Sequence, residues 1–241
     1  MTDSQNFDPA KDAAAKAAVQ IVEPGMKLGL GTGSTANVFV HRLAERVNAE
    51  GMSLRCAATS KATATLAQQL GLQVESLDDL GWLDLTIDGA DEVDPDLNLI
   101  KGGGGAHLRE KIVACASDRM VVIADQSKVV EQLGAFHLPV EVVPFGWQTT
   151  EILIRRGLDR LGLSQRPVLL RSRDDAAFRT DEGNLILDLS LEAIPDPAAL
   201  AKMLSQIPGV VEHGLFLNIC SLAIVGREDG TVVELLAEEQ E

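Results

Sequence analysis

Between Thr86 and Lys111 the chain reads TIDGADEVDPDLNLIKGGGGAHLREK. Two aspartates, Asp88 and Asp91, sit in one short loop, Asp88-Gly89-Ala90-Asp91. Two carboxylates so close can divide acid and base duties if their surroundings push their pKa values apart. Lys101 follows, and its ammonium can reach into a site walled by the bare backbone of Gly102, Gly103, Gly104 and Gly105. Four adjacent glycines cost more chain entropy than a spacer would justify. Glu110 falls in the first turn of the next expected helix, which suits the helix dipole and also suits a general base. Together these residues suggest a small proton-transfer site that needs no cofactor. Glu92, Asp94 and Asp96 read as a solvated acidic turn. Asp94-x-Asp96-x-Asn98 imitates the start of a calcium loop, but Leu99 replaces the required glycine and Gly105 the bidentate glutamate.

A second constellation is Gly31-Thr32-Gly33-Ser34-Thr35, between an expected strand and an expected helix. Free N–H groups at a helix start, with three hydroxyls beside them, form an anion-binding nest. A dinucleotide fingerprint needs glycine where Ser34 stands, and a P-loop needs a Gly-Lys pair that is missing. A small phosphorylated metabolite is therefore the better ligand. Lys128, in Asp125-x-x-Lys128 after another strand, is a candidate phosphate contact, and Lys11 a lesser one. His41, His107, His137 and His213 lack metal-ligand spacing and read as structural. Arg109 and Lys111 point away from Glu110 at helical spacing and read as surface or packing residues.

The elements that must carry these groups alternate. Strands are expected at 26–30, 53–58, 83–87 and 120–124, with helices from Asp8-Pro9, Ser34, Ser60 and Ala106 between them. That rhythm argues for a mostly parallel, doubly wound α/β sheet, with the acidic loop at the carboxyl edge where such sheets bind ligands. After Gly134 the order becomes strand, helix, two strands, helix, which suggests a smaller inserted α+β domain. The expected division is 1–133 with 208–241 for the main domain and 134–207 for the insert. Strands at 222–225 and 231–235 return the chain to the main sheet. The polar residues before Phe7 are expected to be frayed.

Composition narrows the partners. The 241-residue chain is 46% hydrophobic, enough for a sizeable core, yet only 3% aromatic. Its net charge of −15 opposes nucleic acid and anionic membranes as partners. Cys56, Cys115 and Cys220 are isolated, as reduced thiols in a cytoplasmic protein would be. The opening MTDSQNFDPAKD lacks the apolar stretch of a signal peptide.

The segments GLGTGST, TIDGADEVD, IKGGGGAHLREK, IADQSK, LPVEVVPFGW and IPGVVEHGLF, in this order, resemble ribose-5-phosphate isomerase of the A type. The resemblance spans nearly the whole chain. It implies interconversion of ribose 5-phosphate and ribulose 5-phosphate in the pentose phosphate pathway, without cofactor or metal. It also implies a Rossmann-like main domain, a ferredoxin-like smaller domain at the subunit contact, and a homodimer or homotetramer. By matching motif positions, Glu110 is the implied base, and Asp88 and Asp91 help to open and orient the sugar. Lys101 and the N–H groups of Gly102, Gly103 and Gly104 stabilise developing charge. Thr32, Gly33, Ser34 and Thr35 bind substrate and phosphate, with Lys128 as a further contact. His107 stands where a small residue is common, and His137 where a proline often occurs. Two rivals fit a related fold: a non-catalytic sugar-phosphate sensor, which would need a DNA-binding segment the sequence lacks, and an acyl-CoA transferase with a covalent glutamyl thioester. A metal-assisted hydride shift is the chemical rival, without a ligand cluster in the sequence to support it.

Overall fold

The computed structural model describes residues 8–236. The polar residues before Phe7, expected to be frayed, lie outside that range. Helix α1 (Pro9–Gln20) starts on Asp8, whose carboxylate accepts from the N–H groups of Ala10 and Lys11, as an acidic cap before proline should. Then come β1 (Lys27–Leu30), α2 (Ser34–Glu50), β2 (Arg55–Ala58), α3 (Lys61–Gln69), α4 (Leu77–Leu80) and β3 (Leu85–Gly89). A short hairpin, β4 (Glu92–Val93) and β5 (Leu99–Ile100), leads to α5 (His107–Cys115) and β6 (Met120–Asp125). The chain continues through β7 (Leu138–Val142), α6 (Trp147–Arg160), β8 (Val168–Leu170), β9 (Ser172–Arg173), β10 (Ala176–Ala177) and β11 (Leu185–Leu189). It ends with α7 (Pro197–Ser205), β12 (Val210–His213), β13 (Leu215–Phe216), β14 (Cys220–Gly226) and β15 (Val232–Leu236).

The main sheet has six strands in the order β15-β14-β6-β3-β1-β2, parallel except for the antiparallel edge β15. This is the doubly wound α/β arrangement expected from the alternating pattern. Its strand order reverses between β1 and β3, so their carboxyl ends open onto a crevice suited to ligands. Along β6, side chains alternate between two cores, as a strand's period of two demands. Val121 and Ile123 join α1 and α2 through Ala18, Phe39 and Leu43, whereas Val122 and Ala124 meet Ala114 of α5 on the other face.

The second sheet, β12-β7-β11-β8, is fully antiparallel. With α6 and α7 it runs strand, helix, strand, strand, helix, strand, which is the ferredoxin-like order. Ile154 and Leu158 of α6, and Leu200 and Leu204 of α7, fill one core against it. The expected boundary at 207 falls short of this sheet, because β12 at 210–213 pairs along β7. Pro208-Gly209 reads as a break between domains, and Val-Val-Glu-His lacks the alternation that marks a strand. Its pairing with β7 decides the matter.

A three-stranded sheet, β13-β5-β4, joins the two. None of its two-residue strands is long enough to show a period in sequence. It nonetheless brings the chain after β3 back to the carboxyl end of that strand, and so positions the site.

Candidate active site

Asp88, next to last in β3, is fully buried. One of its oxygens, Oδ1, accepts from the backbone N–H groups of Thr32 at 2.9 Å and Gly89 at 2.7 Å. Gly31 permits that approach, since a Cβ there would lie 2.1 Å from the same oxygen. The other oxygen, Oδ2, lies 3.0 Å from Lys101 Nζ. Lys101 is 2% exposed, its backbone N–H bonded to Gly214 on the way into β13 and its ammonium to the carbonyl of Gly89. Glu110, one turn into α5 and 4% exposed, sets Oε2 3.4 Å from the same ammonium. Among the described residues, neither Oδ2 of Asp88 nor Oε2 of Glu110 has a donor at hydrogen-bonding angles. The ion-pair distances are short, but the directions are poor.

One cation thus faces two carboxylates. Burial pushes Glu110 up to about 8, with Asp88 and Asp91 adding to the rise and Lys101 opposing it. Burial also raises Asp88, against the pull of Lys101 and its two backbone donors. Burial would lower Lys101, yet Asp88 and Glu110 outweigh it and hold the ammonium above the ordinary lysine range. Lys101 is therefore charged, and it neutralises only one carboxylate. The backbone donors favour Asp88 as the ionised partner, leaving Glu110 to carry the proton.

Asp91 lies beyond the end of β3, where its Oδ2 accepts from the N–H of Gly103 at 2.7 Å. Gly102 has φ +102°, open to glycine far more readily than to other residues, and its Cα faces the His107 ring. Gly103 and Gly104 are exposed, whereas Gly102 and Gly105 are covered.

The segment expected to cradle an anion is next door. Helix α2 begins after Gly33 (φ +117°) with no side chain capping it, so its first N–H groups point outward with the positive end of the helix dipole. Ser34 lines an open hollow of about 790 Å³ together with Lys11, Asp125 and Lys128. Thr35 is buried, and Thr32 turns its hydroxyl towards Thr59, Ser60 and Thr63, all within 3.0 Å. The hollow stops short of Asp88, Lys101 and Glu110. The anion end is open and the acid–base end is closed. Gly89 and Ala90 are the half-buried backbone between Asp88 and Asp91.

Several neighbours differ from expectation. Glu92 is buried and accepts from the N–H groups of Gly134 and Phe136, and Asp94 is buried and accepts from Asp96, Asn98 and the Asn98 amide. They are not a solvated turn: Asp94 closes the β4–β5 hairpin and Glu92 ties it to the chain entering β7. Only Asp96 of the three is exposed. His107 is fully buried, pushed down to about 3 by burial and by Lys111 and Arg171, with Glu141 Oε2 3.9 Å from its Nε2. Lys111 packs over Phe216 and bonds Glu212 and the His213 carbonyl, as a packing residue would. Among the described residues, no cluster of three His, Cys, Asp or Glu side chains could hold a metal, and no helix is long and apolar enough to cross a membrane.

A buried carboxylate–ammonium–carboxylate group at the switch point of a doubly wound sheet, beside an uncapped helix start, is the apparatus of an α/β enzyme that moves protons. Comparison with known proteins makes the class specific. Residues 55–230 match the family model of ribose 5-phosphate isomerase A, also called phosphoriboisomerase A. Over 226 residues the chain is 60% identical to a ribose-5-phosphate isomerase A of Jannaschia sp. (strain CCS1), covering 94% of this chain and 86% of that protein. The ribose 5-phosphate isomerase of Plasmodium falciparum superposes with a TM-score of 0.90 at 35% identity, over 96% of this chain and 100% of that one. A D-ribose-5-phosphate isomerase in complex with phospho-erythronic acid gives 0.87 at 35% identity, with the same coverage. The chain belongs to the ribose 5-phosphate isomerase A family.

Proposed function

We propose that this chain interconverts D-ribose 5-phosphate and D-ribulose 5-phosphate through an enediolate, in the non-oxidative pentose phosphate pathway. The observation that carries the reading is the pairing of Glu110 and Asp88 across Lys101, beside the open start of α2. The phosphate docks at Thr32, Gly33, Ser34 and Thr35, with Lys128 as a further cation, and this remote anchor holds the reacting carbons in place. The pentose enters between the exposed backbones of Gly33-Ser34 and Gly103-Gly104. Asp88, with Asp91, serves ring opening and orients the open-chain sugar. Glu110, ionised, removes the proton from the carbon next to the carbonyl and returns it to the neighbouring carbon. One base serves both carbons because they present their protons in turn to the same oxygen. Negative charge gathers on the substrate oxygen in between, where Lys101 and the N–H groups of Gly102, Gly103 and Gly104 stabilise it, the Gly103 N–H exchanging Asp91 for the substrate.

The enzyme is read as cytoplasmic and as a homodimer or homotetramer. Phe145 (93% exposed), Ile152 and Leu169 are large apolar side chains left uncovered beside the second sheet, which supports a subunit contact there. We read 134–213, rather than 134–207, as the smaller domain. Purified protein mixed with ribose 5-phosphate should form ketose, followed by its absorbance or by NMR. A protein that binds the sugar phosphate without forming ketose refutes the assignment.

A further inference from the structure

Arg171 follows β8 in the second sheet, far in sequence from the glycine loop, and its side chain is nearly buried. Its Nε donates to Asp188 Oδ2 at 2.9 Å and its Nη2 to Asp188 Oδ1, a two-point grip from β11. Backbone bonds from its N–H to Ile186 and to its carbonyl from Phe178 fix the residue itself. The remaining nitrogen, Nη1, donates to the carbonyls of Gly102 at 2.9 Å and Gly103 at 3.0 Å. The planar fork spends itself on one carboxylate and two successive peptides, which an ammonium could not copy.

Those two carbonyls belong to the peptide units whose other ends are the N–H groups of Gly103 and Gly104. In a planar trans peptide the two ends point in opposite directions. Pulling both oxygens towards the second sheet therefore turns both N–H groups towards the site, where that of Gly103 already meets Asp91. Glycine supplies no side chain to hold its own peptide planes; the Gly105 N–H also donates to the Gly102 carbonyl at 2.9 Å and Asp91 holds the Gly103 N–H, so Arg171 adds to the hold on the first peptide and supplies the one on the second.

We propose that Arg171, held by Asp188, is a positioning residue that aims the Gly103 and Gly104 N–H groups at the developing oxyanion. This rests on the isomerase reading of the site. The second sheet thereby takes part in the chemistry without touching the substrate.

Arg171→Lys and Asp188→Asn are the test, read in parallel for turnover and for two ligands. Phospho-erythronic acid offers a carboxylate where the oxyanion would form, while inorganic phosphate probes only the cradle. In both variants kcat should fall about tenfold to 10²-fold, and affinity for phospho-erythronic acid should fall with it. KM and the Kd for inorganic phosphate should stay within about threefold, because the anion cradle lies on α2. A kcat within twofold of the parent, or an equal loss of inorganic phosphate affinity, overturns the proposal. If Arg171→Lys does not fold, Asp188→Asn supplies the same readings, since it loosens the grip and leaves the arginine in place. A parent protein that forms no ketose would defeat the isomerase reading instead, so the two failures are distinct.

Discussion

As the proposed base, Glu110 must resist ionisation before substrate binds and still be ionised often enough to take a proton from carbon. Its position meets both needs: 4% exposure raises its proton affinity, and an ammonium at 3.4 Å keeps the charged form within reach. Held at about 8, the carboxyl of the free enzyme should make kcat/KM climb with pH and level off above that value. A profile that is flat from pH 6 to 9 would contradict this. The same shift acts on stability. Folded Glu110 binds its proton more tightly than the unfolded group near 4.5, so between those values the native state holds the extra proton and stability declines as pH rises. Glu110→Gln should flatten that decline and raise Tm at pH 8, which calorimetry at several pH values would reveal. Residue type and motif order sufficed to single out Asp88, Asp91, Lys101 and Glu110 in the sequence. Glu92 and Asp94 were not legible, because whether an acidic side chain in a loop is solvated or buried depends on which N–H groups the fold brings to it.

At the scale of elements, the site depends on contacts too close for any side chain larger than hydrogen. Gly31 lets β1 end against Asp88 on β3, and a Cβ there would also stand 2.5 Å from the Asp88 Cα. Gly31→Ala should therefore force the two strands apart, cost about 1–3 kcal/mol of stability, and lower turnover by moving Asp88. A variant with parental Tm and parental kcat would show that the approach is not needed. The parallel strands and most of their helices were legible because apolar runs mark the strands, and a capping side chain or a glycine stop marks most of the helices. Ser60, for instance, caps α3 through the N–H of Thr63 as its position suggests. The β4–β5–β13 sheet was not. Its strands are two residues each, and their pairing spans from Glu92 to Phe216. Yet it is this sheet that returns Lys101 to Asp88, and the same blindness hid Arg171, whose role depends on a peptide plane far along the chain.

Across the whole molecule, a net charge of −15 would repel a sugar phosphate if it were spread evenly. The attraction proposed for the phosphate is local: the uncapped start of α2, with Lys11, Lys128 and Arg227 at a hollow that Asp8, Asp125, Glu228 and Asp229 also line. In the proposed reaction the main sheet supplies the anion cradle and the acid–base group, and the second sheet steadies the glycine loop between them. The central claim is that a single carboxylate, Glu110, carries the proton between the two carbons. It is tested most directly by following ribose 5-phosphate in deuterium oxide by NMR, with the parent protein and with folded Glu110→Gln. The parent should wash deuterium into the carbon next to the carbonyl as it forms ketose, and Glu110→Gln should lose exchange and turnover together by about 10²–10⁴-fold. Exchange at the parental rate in Glu110→Gln would assign the proton to another group and contradict the account.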